Sequence, residues 1–95
     1  MRIRWTAPSL RDLEAIGDYI ARDNPTAADQ TISRIFRCAD LLATQPNMGR
    51  PGRVPGTREL VISDTPLVMP HRVHDDTVEI LAVFHGARQW PERFN

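Results

Sequence analysis

Twelve basic residues, all arginine, and three histidines carry most of the reactive chemistry in this 95-residue chain. Cleaving RNA would need little more. A 2′-hydroxyl must be deprotonated, the phosphorane charge stabilised and the leaving oxygen protonated. His71 and His85 are the residue types for proton transfer, and Arg58 and Arg88 for bidentate phosphate binding. These residues are spread over separate strand candidates, where surface histidines and salt-bridged arginines fit equally well, so residue types alone do not make an enzyme. No lysine is present for a Schiff base or general acid. Cys38, the only cysteine, excludes an internal disulfide and a four-thiolate zinc site, and its helical pattern implies a small, buried or half-buried side chain. No glycine-rich phosphate loop, paired metal motif or nucleophile elbow occurs, and Ser9, Ser33 and Ser63 have no local activating signal. Neither a cofactor nor a metal is expected.

The elements that must position these groups follow from length and patterning. A chain this short forms one domain, 1–95, and its 41% hydrophobic content is enough for a compact core. Zero formal net charge removes the long-range attraction of a generic nucleic-acid or anionic-membrane binder. The start, Met1 to Trp5, lacks the apolar stretch of a signal peptide, and no run reaches membrane-spanning length. A cytoplasmic protein is expected, with no membrane partner. Arg2 to Trp5 alternates as a short strand, and Thr6-Ala7-Pro8 opens a helix over about residues 7–22, with Leu10, Leu13, Ile16 and Ile20 on one face. Asn24-Pro25 repeats the start signal for a second helix carrying Ala28, Ile32, Ile35, Phe36, Ala39, Leu42 and Ala43. So short a link makes the pair an antiparallel hairpin, which a sheet must cover.

Residues 44–57 are too rich in proline and glycine for regular structure, and Arg50, Arg53 and Arg58 lie in or beside them. Three strands are expected after that: Glu59–Ile62, Leu67–Val73 and Val78–His85. An Asp75-Asp76 loop pairs Arg72 with Glu79 and Val73 with Val78. Leu67, Met69, His71, Val73, Val78, Ile80, Ala82 and Phe84 then face the helices. The other face holds Val68, Pro70, Arg72, Glu79, Leu81, Val83 and His85, so His71 and His85 point apart and a shared metal site is disfavoured. This second face is too apolar for open water. Either the first strand and C-terminal tail fold over it, or another protein does. Pro70 cannot donate to a ladder, so an edge or bulge is expected there. Trp90 and Phe94 have no periodic setting and are expected to dock against the chain itself.

In order and spacing, several blocks resemble the RelE/ParE toxin superfamily, nearer its ParE-like branch. They are Leu10-Arg11-Asp12-Leu13-Glu14-Ala15-Ile16 with Tyr19-Ile20 and Asn24-Pro25, Pro46-Asn47-Met48-Gly49-Arg50-Pro51-Gly52, Gly56-Thr57-Arg58-Glu59-Leu60, His71-Arg72-Val73, and the run from Val78 to Pro91. The resemblance implies an α+β fold: an N-terminal strand, an antiparallel helical hairpin, then a three-stranded antiparallel meander forming a small sheet with the first strand. It also implies the toxin of a type II toxin–antitoxin module. ParE-like toxins poison DNA gyrase and are neutralised by a ParD-like antitoxin, typically a ribbon-helix-helix dimer that binds operator DNA, so DNA is reached only indirectly.

RelE-like relatives cut messenger RNA on the ribosome, and Arg58 and Arg88 match their phosphate-binding arginines. The lysines before the second strand are missing here, and Phe94 stands near the place of their catalytic tyrosine. A tyrosine is also common where His71 stands. The reading is therefore a non-catalytic inhibitor of gyrase. Its antitoxin would dock on Val68, Arg72, Leu81, Val83, Arg58, Arg88 and the hairpin, while Trp90, Arg93 and Phe94 are candidates for gyrase contact. The alternatives are a ribosome-dependent nuclease using His85, Arg58 and Arg88, and a non-toxic protein-binding member of the same fold.

Overall fold

Thr6 begins the first helix by accepting a bond from the Ser9 N–H on its side-chain oxygen, while its own hydroxyl donates to the Ile80 carbonyl at 2.7 Å. One residue therefore caps a helix and ties it to the sheet. The computed structural model describes residues 1–87. Strand β1 (Arg2–Trp5) leads into α1 (Ala7–Ala21) and α2 (Pro25–Leu41). Asn24 caps α2 through Ala27 at 3.0 Å, with Pro25 in the first turn. Then come β2 (Arg50–Pro51), β3 (Arg58–Val61), β4 (Leu67–His74), β5 (Thr77–Ile80) and β6 (Phe84–His85).

The sheet order is β1-β5-β4-β3-β2, with β6 also on β4. β1 runs parallel to β5 and the meander β3-β4-β5 is antiparallel, as an α+β fold of this plan requires. The Asp75-Asp76 turn sets the expected register, Arg72 opposite Glu79 and Val73 opposite Val78. Asp75 adopts φ 55°, a left-handed conformation that aspartate tolerates. The irregular 44–57 segment contains one short strand, β2, which pairs Arg50 with Glu59. Gly49 allows it: at φ 96°, a Cβ there would lie 2.5 Å from the Glu59 carbonyl oxygen.

The core joins Leu13, Ile35 and Ala39 of the helices and Leu42, which caps α2, to Ile62, Met69, Val78, Ile80 and Val83. The expected helix stripes hold at their centres and fail at single positions. Leu10 is 49% exposed, and Phe36, 40% exposed, packs its ring on Trp5 with centroids 5.1 Å apart. Val73 was expected against the helices but is largely exposed beside the hairpin turn.

The third meander strand differs from expectation. It stops at Ile80, passes through Leu81–Val83 without strand structure and resumes at Phe84. Before the break, His71 pairs with Ile80; after it, Val68 pairs with Phe84 and Leu67 with His85, a slip of one residue. Pro70 explains the position. The N–H and C=O of an antiparallel strand residue point to the same neighbour, and the Pro70 carbonyl accepts from the Leu81 N–H at 2.9 Å. The missing donor of Pro70 therefore faces Leu81–Val83, where the ladder breaks. Pro70 lies in a central strand, so the bulge is what accommodates it.

The slip reverses the expected facing of Val83, Phe84 and His85. Val83 turns into the core, Phe84 moves to the side of Val68, and His85 moves to the helix side with Leu67. No helix among the described residues is long and apolar enough to cross a membrane.

Candidate functional site

The strand break needs an acceptor for its freed backbone donors, and a helix supplies it. The Val83 N–H donates to Asp12 Oδ2 of α1 at 3.0 Å, and the Gly86 N–H donates to the Pro66 carbonyl at 2.8 Å. Asp12 lies outside the apolar stripe of Leu10, Leu13, Ile16 and Ile20, and nothing local signals that it reaches the sheet. Its consequence is the position of His85, which lines an apolar groove of about 620 Å³ with Ala15, Ile16, Tyr19, Ile20 and Leu67. Tyr19 is 72% exposed there. His85 Nδ1 accepts the Ala87 N–H at 3.1 Å.

Arg58 and His71 lie elsewhere, facing each other across β3 and β4. With Pro46, Asn47, Gly56, Arg72 and Val73 they line a recess of about 150 Å³. His71 is fully buried; its Nδ1 is 3.1 Å from the Met69 carbonyl, and its Nε2 has no partner. A ring nitrogen facing a carbonyl must donate, so Nδ1 carries the proton of the neutral ring. Burial lowers the pKa of His71 from its ordinary 6.5; the Met69, Met48 and Pro46 carbonyls oppose that, and the Arg58 charge reinforces it. Arg58 donates only a long bond, 3.3 Å, to the Gly49 carbonyl. Leu67 and His71 are four residues apart on β4, about 13 Å at strand rise, so the structure does not bring His85 to Arg58.

The second face of the sheet is organised by charge. Glu79, 8% exposed at its side chain, accepts from Arg72 Nε at 2.9 Å and from Arg4, so Arg72 is paired as its register implies. Buried Glu59 accepts from Arg50 Nε at 2.6 Å and leaves Oε2 without a partner. Val68, Leu81 and Val83 are 4%, 3% and 1% exposed, so none offers a free surface in this chain. The expected triplet is also divided, since Val83 belongs to the core on the other side. Exposed apolar area lies instead at Tyr19, Leu41, Val61 and Val73. Among the described residues no group of three potential ligands could hold a metal ion. Arg88, Trp90, Arg93 and Phe94 lie outside the described residues.

Comparison with known proteins matches this architecture along nearly its whole length. Residues 3–90 match the family described as ParE toxin of type II toxin–antitoxin system, parDE. The chain is 50% identical over 91 residues to Y4kP of Sinorhizobium fredii, covering 96% of this chain and 94% of that one. It is 39% identical over 87 residues to Toxin RelE2 of Caulobacter vibrioides, covering 92% and 97%. A solved chain of the chromosomal ParDE TA system from P. aeruginosa superposes with a TM-score of 0.82 at 32% identity, covering 90% of this chain and 95% of that chain. A strand, a helical hairpin and a meander in this order, matched from Ile3 almost to the end, mean that the chain belongs to the ParE toxin family of type II toxin–antitoxin systems.

Proposed function

We propose that this toxin acts by binding DNA gyrase in the cytoplasm and blocking supercoiling, and that a cognate ParD-like antitoxin of the ribbon-helix-helix class holds it inactive. The observation carrying this reading is the separation of its chemical groups. His85 sits in an apolar groove with Nδ1 occupied, while Arg58 sits in another recess beside a histidine whose free nitrogen is sealed from solvent. Phosphodiester cleavage needs its base, acid and phosphate binder within reach of one scissile bond. Protein binding needs only a shaped surface. The apolar groove along α1 and Leu67 suits the apolar face of an antitoxin segment, with Tyr19 as its anchor. Operator DNA is then contacted by the antitoxin and not by this chain.

The test is a gyrase supercoiling assay with the purified toxin, reversed by antitoxin. The expected result is lost supercoiling and accumulation of gyrase-bound DNA breaks. Unimpaired gyrase together with A-site cuts in message on translating ribosomes would replace this reading with a nuclease. Normal growth at verified high expression without antitoxin would replace it with a non-toxic binding protein.

A further inference from the structure

Buried apolar side chains lie on both sides of one sheet. Leu13, Ile35 and Ile80 belong to the core beneath the helices. Val68, Pro70, Leu81 and Phe84 do not, yet Val68, Leu81 and Phe84 are only 4%, 3% and 5% exposed and Pro70 is fully buried. A sheet does not bury its own face, so a layer lies on that side too. These exposures are those of the 95-residue chain by itself, so the cover belongs to the chain.

No segment among the described residues supplies it. Both helices pack on the other side. The Pro46 and Met48 carbonyls turn to His71 on that same side, and Thr65 and Pro66 border the groove along α1. β1 takes its place in the sheet beside β5, and the 50–57 hairpin forms the far edge through β2. What remains is residues 88–95.

We propose that residues 88–95 form a strap across the face of the sheet away from the helices, with the Trp90 indole seated on Val68, Leu81 and Phe84.

The path of the chain supports this. After β6 the backbone closes on that face: a Cβ on Gly86 would lie 3.2 Å from Val68 Cγ2, an approach that glycine eases. The Gly86 N–H, held by the Pro66 carbonyl at 2.8 Å, fixes this exit. Residues 88–95 reach about 26 Å at strand rise, whereas crossing from β6 over β4 and β3 to β2 takes about 14 Å. Pro91 biases Trp90 toward extended backbone, and alternation from there puts Trp90, Glu92 and Phe94 on one side.

Charge agrees with that placement. Around the apolar patch Arg2, Arg4, Arg50 and Arg72 outnumber Glu59 and Glu79, and Glu92 brings a further carboxylate to them. Arg93 turns outward, and Arg88 precedes the extended stretch. A strapped face keeps no apolar surface to offer. An apolar partner segment is left with the groove beside Tyr19.

Nuclear Overhauser contacts in the full-length chain test the strap. The Trp90 indole should show them to the Val68 and Leu81 methyls and to the Phe84 ring, and those methyls should carry upfield ring-current shifts. Trp90→Ala should remove the shifts and leave the Ile35 and Ile80 methyls where they were. Should that variant fail to fold, the contacts in the unaltered chain decide. Trp5→Phe leaves Trp90 as the only indole. Its fluorescence should be quenched by acrylamide several-fold less in the folded chain than in denaturant. Three results would overturn the strap: contacts from Trp90 to Ile16 and Tyr19 instead, equal quenching in the folded and denatured chain, or contacts found only between labelled and unlabelled copies. The first would put residues 88–95 in the groove, and the last would make the cover a second copy. None of them bears on gyrase, which the supercoiling assay tests separately.

Discussion

Strand β4 meets its neighbour on one side in two ways, and the contrast explains where the two histidines go. From His71 to His74 the pairing with β5 is regular and follows the Asp75-Asp76 turn. From Leu67 to Pro70 the neighbour is broken, slipped by one residue and held partly by a carboxylate from a helix. His71, on the regular half, is driven into the sheet–helix interior and loses solvent entirely. His85, opposite the broken half, is carried by the slip to the rim of an open groove. A one-residue slip exchanges the faces of a strand. Here it leaves one histidine buried and carries the other to an open groove.

Substitutions on the two halves should differ in size and in reach. The largest effect belongs to the regular half: Ile80→Ala removes a fully buried side chain from the core and should cost about 2–5 kcal/mol in denaturant unfolding. A loss below about 1 kcal/mol would mean that this half is not the rigid one. Asp12→Ala, on the broken half, leaves the Val83 N–H without its acceptor and should cost about 1–3 kcal/mol. Its amide exchange should rise at Val83 and its neighbours and stay unchanged at Val73 and Val78. Uniform acceleration across the sheet would show that Asp12 supports the whole fold and not the break.

The same contrast marks what was legible in the sequence. The hairpin helices followed from Thr6, Asn24, two prolines and a 3.6-residue period; the regular ladder followed from one turn and alternation. Those signals are local, and the structure follows them. Pro70 announced an edge position or a bulge but not which, nor on which side, since that depends on the neighbour its missing donor faces. The acceptor that stabilises the bulge lies on α1, 71 residues from Val83. No periodicity encodes a contact over that distance, so Val83, Phe84 and His85 were assigned to the wrong faces. The family resemblance survived because order and spacing do not depend on that one-residue slip. The candidate binding surface did depend on it: Val68 and Leu81 are buried, Val83 is core, and the groove beside Tyr19 was not anticipated.

The smallest predicted effects compare the two histidines by acid. The pKa of His71 lies below its ordinary 6.5 in the folded chain, so the unfolded chain binds more protons between those two values. The stability gained from keeping His71 neutral is complete above about pH 6.5 and is lost as pH falls below it, at no more than about 1.4 kcal/mol per pH unit. His71→Phe keeps an apolar ring in the site and removes this titration. Whatever its stability at pH 8, its unfolding free energy should fall less between pH 7 and pH 5 than that of the unaltered chain. Parallel curves would mean that the His71 ring is already hydrated. His85→Phe is the control on the broken half, because that ring is exposed at the groove rim. It should change stability by no more than about 0.5 kcal/mol. A loss of about 2 kcal/mol or more in His85→Phe, the size expected for one core side chain, would mean that the broken half is packed as tightly as the regular one.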